Sequence, residues 1–293
     1  MNKAKVYFTK EITGDSLVRI YEKLNFELNG KVAVKISTGE PGGNNYLKPE
    51  LIKDLVNKLN GTIVECNTAY KGRRNTTFEH YKAIREHGFM DIADVDIMDS
   101  DGEIAIPVTN GVHLKENYVG SHLANYDSML ILSHFKGHQM GGFGGALKNM
   151  SIGIASSSGK AWIHTAGVTK DVSKLWSNVA EQDDFLESMA EADESVIRYM
   201  NKNIVYINVI NNLSIDCDCN SNPEMLCMKD IGIMASLDPV AVDKASLDLI
   251  YNSEDVGKER LIKRIEEMHG IRTIEHAEEL LIGSTNYELI NID

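Results

Sequence analysis

One stretch of the sequence, HFKGHQMGGFGGALKN at residues 134–149, concentrates side chains that can do chemistry. It holds two histidines four positions apart, two lysines and five glycines. So many glycines indicate that the backbone approaches a ligand closely. Histidines at this spacing can share a metal on a helix, but Gly137 and the pair Gly141 and Gly142 argue against a helix here. The alternative is a tight turn with solvated side chains. The glycines match neither the dinucleotide pattern nor the Walker phosphate-binding pattern.

The cysteines form a second group of reactive side chains. Three of the four lie within eleven positions, at Cys217, Cys219 and Cys227, and acidic residues flank Cys217 on both sides. Acidic neighbours disfavour a thiolate unless a cation is present, so a metal at Cys217 and Cys219 would resolve the conflict. Soft thiolates combined with imidazole suit iron, zinc or nickel. The alternative is a reduced thiol pair in a structural turn, and we expect Cys227 to belong to the core.

A third group is charged. Arg73 and Arg74 belong to the only dense basic patch, and two guanidiniums on a loop can clamp a carboxylate or phosphate. A solvated charge cluster is an equally good interpretation. Glu40 and Asp218 are candidates for proton transfer.

The elements that must position these groups alternate between strand-like and helix-like segments, which predicts an α/β fold with a largely parallel sheet and flanking helices. Predicted strands cover residues 31–36, 62–66, 128–133 and 204–210. Predicted helices cover residues 15–26 and 181–202, and others begin at Pro49, at Thr76 with a capping box to Glu79, and at Asp238 with Pro239. A hairpin is expected around Asp101 and Gly102.

Each group follows a predicted strand directly, in loops at residues 37–43, 67–74, 134–149 and 211–219. Ligands of open α/β sheets bind at the carboxyl ends of the strands, so these loops are expected to converge on one crevice. The chain is expected to be a single family domain, with two α/β lobes around the crevice as the alternative. No boundary can be read from the composition.

Composition limits the class of partner. The 293 residues are 43% hydrophobic and 25% charged, which is typical of a globular protein and excludes disordered, collagen-like and coiled-coil classes. A net charge of -13 repels phosphate backbones, so we expect neither nucleic acid nor an anionic membrane as partner. A small molecule or a protein is favoured as partner. The lysines and arginines of the loops indicate that the small molecule is anionic, and a redox protein is a further candidate. The apolar runs are too short to span a membrane and the N-terminus has no apolar signal region, which predicts a cytoplasmic protein.

The chain resembles the uncharacterised family known as domain of unknown function 362. The resemblance rests on GEPG at residues 39–42, TAYKGRR at 68–74, HFKGH at 134–138, GFGGALKN at 142–149, DCDC at 216–219 and the stretch from Ile231 to Pro239 with Asp243. Many members carry a ferredoxin-like insert and are described as iron-sulfur proteins. This chain lacks the insert, so no four-iron cluster is implied.

A more distant similarity is to the nickel-dependent lactate racemase family. There a lysine anchors a nickel-pincer nucleotide, and histidines act as metal ligand and acid or base. This similarity implies that Lys148 anchors a cofactor, and that His164 with His134 or His138 supplies the histidines. An Ala-Leu pair precedes Lys148 where that family tends to have Gly-Arg.

The leading hypothesis is a metal-binding enzyme that carries out redox chemistry or proton transfer on a small anionic substrate. The expected metal ligands are Cys217, Cys219, His134 and His164. The expected catalytic residues are Lys148, His138 and Glu40. The expected cofactor-binding residues are Lys136, Gly144, Gly145, Asn149, Arg73 and Arg74. The alternatives are a non-catalytic electron-transfer, metal-carrier or cluster-assembly protein, and an isomerase like lactate racemase with a cofactor anchored on Lys148.

Overall fold

The computed structural model describes residues 3–220 and 226–293. Its strands are β1 (Ala4–Thr9), β2 (Val32–Lys35), β3 (Thr62–Glu65), β4 (Val95–Ile97), β5 (Glu103–Pro107), β6 (Glu116–Gly120), β7 (Ser128–His134), β8 (Lys136–His138), β9 (Gly142–Gly144), β10 (Ile204–Ile210), β11 (Gly232–Ser236) and β12 (Tyr287–Asn291). Its α-helices are α1 (Gly14–Lys23), α2 (Pro49–Lys58), α3 (Thr77–Glu86), α4 (Ala146–Ile154), α5 (Ser157–His164), α6 (Gln182–Tyr199), α7 (Pro239–Tyr251), α8 (Lys258–Glu267) and α9 (Ile271–Glu279).

Eight strands form one sheet in the order β12-β1-β11-β10-β7-β2-β3-β4. β11 pairs antiparallel with both of its neighbours, and the other pairs in this sheet are parallel. The predicted α/β class with a largely parallel sheet is therefore confirmed. The four strands whose loops carry the candidate site residues, β10, β7, β2 and β3, are consecutive neighbours, so their carboxyl ends lie side by side.

Helices cover both faces of this sheet. Along β7, Met129 and Ile131 belong to one apolar cluster, which α4, α6, α7 and α9 complete. Leu130 and Leu132 face the opposite cluster, which α1, α2 and α3 complete. Because both faces of β7 are covered, its sequence is almost wholly apolar rather than alternating.

Local signals at the helix starts are confirmed in part. Pro49 is the first residue of α2. The Asp238 carboxylate caps α7 by accepting a hydrogen bond from the Ala241 amide at 2.9 Å. The capping box predicted at Thr76 is wrong, since Thr76 makes no side-chain cap bond and Glu79 instead accepts from Lys82 at 2.8 Å.

The hairpin predicted around Asp101 and Gly102 is also wrong. β4 joins the main sheet parallel to β3, whereas β5 pairs antiparallel with β6 in a separate two-stranded sheet. Alternation of apolar and polar residues shows that a strand has one buried face, but it does not show which strand is its neighbour. In the part of the chain that the structure describes, no helix combines the length and apolarity needed to span a membrane.

Candidate functional site

A cavity of about 340 Å³ lies at the carboxyl ends of β3, β2, β7 and β10. The four predicted loops all contribute to its wall, represented by Ser37, Arg74, His138 and Cys217. α4 and α5 close the cavity on one side through Lys148 and other residues. The convergence that the strand-loop pattern predicted is therefore present in the structure.

Lys148 is held in place by the way α4 begins. The hairpin β8–β9 ends just before Gly145, the residue that precedes α4. The amides of Ala146 and Leu147 donate to the two carboxylate oxygens of Asp243 at 2.7 and 2.9 Å. A Cβ atom at Gly145 would overlap that carboxylate, so only glycine allows this close approach. Asp243, on α7, therefore fixes the first turn of the helix that carries Lys148.

A buried ion-pair network forms part of the cavity wall at β2 and β3. The Lys35 ammonium is 2.9 Å from one Glu65 oxygen, and the Arg74 guanidinium is 3.3 Å from the other. Arg74 also donates to Glu40 at 3.0 Å. Burial alone would raise the pKa of the Glu65 carboxyl, but the charges of Lys35 and Arg74 outweigh it and lower that pKa to about 2.

A second network holds Asp218. One carboxylate oxygen lies 2.8 Å from Nδ1 of His134, and the other lies 3.0 Å from the Lys136 ammonium. Burial opposes ionisation of Asp218, yet the neighbouring His134 and Lys136 keep its pKa well below its usual range. Nε2 of His134 is 2.7 Å from the Asn211 carbonyl oxygen. Both ring nitrogens of His134 are therefore occupied by oxygen acceptors.

Lys148 differs from these cations. Across residues 3–220 and 226–293 no carboxylate pairs with it, although it lines the cavity. Burial lowers the pKa of its ammonium to about 7, and the nearby charges of Lys136 and Lys35 act in the same direction. Lys148 can therefore gain or lose a proton near neutral pH.

The two cavity histidines that remain, His138 and His164, are held as opposite tautomers. Nδ1 of His138 accepts hydrogen bonds from the amides of Met140 and Gly141, at 3.2 and 2.9 Å, so the proton of the neutral ring is assigned to Nε2. Nδ1 of His164 lies 2.7 Å from the Lys160 carbonyl oxygen and must donate to it, which leaves a lone pair on Nε2. Burial lowers the pKa of both rings, that of His164 to about 4, so both are neutral at pH 7.

The sulfurs of Cys217 and Cys219 line the same cavity and are joined as a disulfide. A ring nitrogen of His138 lies within 4.8 Å of both sulfurs, which is close enough for one metal ion to reach all three residues. The disulfide must be reduced before the sulfurs can act as thiolate ligands. His138 in its present tautomer also has no lone pair to offer, because its Nδ1 is engaged by two amides.

The structure brings most of the predicted site residues together. Those that line the cavity are Lys136, His134, His138, Gly144, Gly145, Lys148, Asn149, His164, Arg74, Cys217 and Cys219. Glu40 is buried behind the wall and binds Arg74 and the Tyr70 hydroxyl. Arg73 lies outside, where it is 39% exposed and forms an ion pair with Glu86. His134 and His164 are not in the group formed by His138 and the two sulfurs.

Sequence reasoning missed several residues of the wall. Lys35 and Glu65 are charged residues at the ends of otherwise apolar strands, and that placement is a signal that would have indicated a buried pair. Lys160 belongs to a polar segment that carried no separate signal. Trp176 lies in a short 3-10 helix, Val172–Ser177, where it lines the cavity and is 60% exposed.

Comparison with known proteins gives a family but no established activity. A family model described as Domain of unknown function (DUF362) matches residues 32–248, so the chain belongs to that family. No curated protein matches the chain.

Two solved structures share part of the fold. One is the lactate racemase apoprotein from Thermoanaerobacterium thermosaccharolyticum, with 12% identity and a TM-score of 0.45, over 84% of this chain and 57% of that one. Another is a protein from Thermotoga maritima, with 13% identity and a TM-score of 0.46, over 92% of this chain and 59% of that one. The chain thus spans less than two thirds of the length of either.

Proposed function

We propose that this member of the DUF362 family is an enzyme that binds a small anionic substrate in the cavity and transfers a proton to or from it. The observation that carries the proposal is the position of Lys148. Its side chain is partly buried and lines the cavity, and no described carboxylate pairs with it.

The balance of charge favours an anion. Lys35, Arg74 and Lys136 each have a carboxylate partner within 3.3 Å. Among the described residues Lys148 and Lys160 line the cavity without one, and Lys160 donates to the Ala155 carbonyl. Burying a cation without a counter-charge is costly, so a bound carboxylate or phosphate would complete the site.

The histidines supply the groups that proton transfer needs. His164 is neutral with a lone pair on Nε2, so it can accept a proton. His138 carries its proton on Nε2 and can donate a hydrogen bond to an oxygen that becomes negative. Lys148, with a pKa near 7, can stabilise the same charge or return the proton. Removal of a proton next to a carbonyl group is the reaction that this set fits best.

The first test is exchange of hydrogen for deuterium. A panel of small 2-oxo acids is incubated with the protein in D₂O, and deuterium at the carbon next to the carbonyl is followed by NMR. We expect exchange that His164→Ala reduces by about 10²- to 10⁴-fold, the usual contribution of a general base. Exchange at the same rate in the parent and in His164→Ala would refute proton transfer at this site.

The second test measures anion binding. Calorimetry with acetate and inorganic phosphate is run on the parent, on Lys148→Met and on Lys53→Met, a matched change at an exposed position of α2. Loss of a charge-assisted hydrogen bond should weaken binding to Lys148→Met by roughly 10- to 100-fold. Equal affinities for all three proteins, or no binding to the parent, would refute the anion site.

Metal-dependent chemistry is a second candidate function, supported by the grouping of His138 with the two sulfurs. In the disulfide form the three residues do not fit a metal. As thiolates, Cys217 and Cys219 would suit iron, zinc or nickel. Cys217 is only 3% exposed and faces the cavity, which favours an enzyme over a carrier that displays its thiols at the surface.

Elemental analysis tests this candidate. Protein purified anaerobically under reducing conditions is compared with a Cys217→Ser, Cys219→Ser variant and with Cys66→Ser. The Cys66 thiol also lines the cavity, but it donates to the Ile154 carbonyl and lies outside the group formed by His138 and the two sulfurs. Near-stoichiometric metal in the parent and in Cys66→Ser, lost in the double variant, would support a thiolate site. Absence of metal from all three would refute it.

A further inference from the structure

We infer that the substrate carries a flat apolar body beside its anionic group, and that Trp176 determines this specificity by stacking on that body. The inference rests on the proposed anion site and adds the class of molecule that it accepts. The apolar side chains of the cavity wall, which the charge balance does not explain, support it.

The cavity wall has a polar and an apolar part. Its polar part holds the lysines and histidines of the site, Lys148 among them, and uncharged residues such as Thr68 and Gln139. Its apolar part consists of Ala69, Met140, Ile152, Leu175 and Trp176. A small inorganic ion would fill only the polar part and leave the apolar wall in contact with water. A molecule with an anionic head and an apolar body would cover both parts.

Trp176 is exposed on an anchored segment of backbone. The residue is 60% exposed, whereas the neighbouring Leu175 is 1% exposed and packs with Ala69 and Ala161. Asp171 caps the same short helix by accepting from the Ser173 amide at 3.0 Å. Because the backbone of Trp176 is held at the cavity by these contacts, its indole is available there before any ligand binds.

Aromatic chemistry makes a flat partner the best match. Offset stacking of two rings adds to the free energy gained from burying apolar area, and an aliphatic chain gains only the burial. Tyr70 also lines the cavity but is less exposed than Trp176, so its ring offers less surface for a ligand to cover. We therefore assign the stacking role to Trp176 and the head-group role to Lys148.

The chain offers a direct readout, because Trp162 and Trp176 are its only tryptophans. Trp162 is outside the cavity lining and donates to the Glu116 carbonyl at 3.0 Å. In a Trp162→Phe variant the indole fluorescence therefore comes from Trp176 alone. In the matched Trp176→Phe variant it comes from Trp162 alone and should not respond to ligand.

The experiment compares anions with and without a ring: benzoate against acetate, and phenyl phosphate against inorganic phosphate. The two pairs separate a carboxylate head from a phosphate head. We expect the aromatic member of at least one pair to change Trp176 fluorescence saturably and to bind about tenfold more tightly than its ringless counterpart. By calorimetry, Trp176→Ala should remove that advantage and leave the ringless anion unaffected, and Trp176→Phe should retain most of it.

The outcomes distinguish this inference from the proposed function. If both members of each pair bind equally, and binding depends on Lys148 but not on Trp176, the anion site stands and the assigned specificity is refuted. If Trp176→Ala weakens both members alike, the stacking role is refuted as well. If no anion binds to the parent, the proposed function fails and this inference fails with it.

Discussion

Replacing Glu65 with glutamine tests the central claim about the site, that its buried charges are stabilised by specific partners. Glu65 lies between Lys35 and Arg74, and its pKa is lowered from 4.5 to about 2. A difference of 2.5 pH units between the unfolded and folded states corresponds to about 3 kcal/mol of stability at neutral pH. Lys35 keeps its contact with Asn149, and Arg74 keeps Glu40, which places the loss at the lower end of the roughly 3–5 kcal/mol typical of broken buried pairs.

The stability lost in Glu65→Gln should depend on pH in a defined direction. Because the folded-state pKa is lowered, the stability that Glu65 contributes is fully present above about pH 4.5 and is lost as the pH falls toward about 2. Urea unfolding followed by circular dichroism should therefore show Glu65→Gln about 3 kcal/mol less stable than the parent at pH 7, with the difference shrinking at about pH 3.

Glu86→Gln is the matched control, because Glu86 forms an ion pair of 2.6 Å with Arg73, shorter than either Glu65 pair, but both side chains are exposed. No measurable change is expected there. The reasoning is refuted if Glu65→Gln costs no more than Glu86→Gln at pH 7, or if its cost is the same at both pH values.

Three further perturbations follow from the site. Affinity for a small anion should fall above pH 7, by up to about tenfold per pH unit, as Lys148 loses its proton, and calorimetry between about pH 6 and 9 measures this; an affinity independent of pH would contradict the assigned role. Gly145→Ala should displace the Asp243 carboxylate and cost at least about 1 kcal/mol of stability per amide left unpaired, together with the anion site, and full retention of both by urea unfolding and calorimetry would be inconsistent with the tight packing. Asp193→Asn should stabilise the protein at pH 7 and lose this advantage below about pH 4, because neither buried Asp193 oxygen has a hydrogen-bond partner among the described residues and burial raises the pKa of the carboxyl; denaturant unfolding that shows destabilisation at pH 7 would contradict it.

The sequence predicts the sheet and its site-bearing loops well because both depend on local pattern. The apolar run at β10 has the bounds Ile204–Ile210 in prediction and structure alike. The position of each loop follows from the strand before it. The order of the strands depends on contacts between segments that are distant in the chain. β5 has the alternation of a hairpin strand, but its partner β6 comes from a later segment, so the pairing could not be read from residues 94–107.

The details of the site depend on contacts between distant segments. Arg73 and Arg74 are adjacent and alike, yet one is on the surface with Glu86 and the other is buried with Glu40 and Glu65. The tautomer of His138 is set by backbone amides, which any sequence supplies. These differences depend on the direction of a side chain and on its contacts in the folded chain, and the residue type alone determines neither.

The walls of the cavity are drawn from residues as far apart in the chain as Lys35 and Cys219, and β2, β3, β7 and β10 must all be in register before they meet. Local fluctuations of a single helix therefore cannot assemble the binding surface, and a molecule that fills it recognises only the folded chain. Such a molecule adds stability in proportion to the logarithm of its concentration, about 2.7 kcal/mol at 100 times its Kd. A rise in melting temperature across a library of organic anions is consequently a way to identify the natural ligand without knowing the reaction.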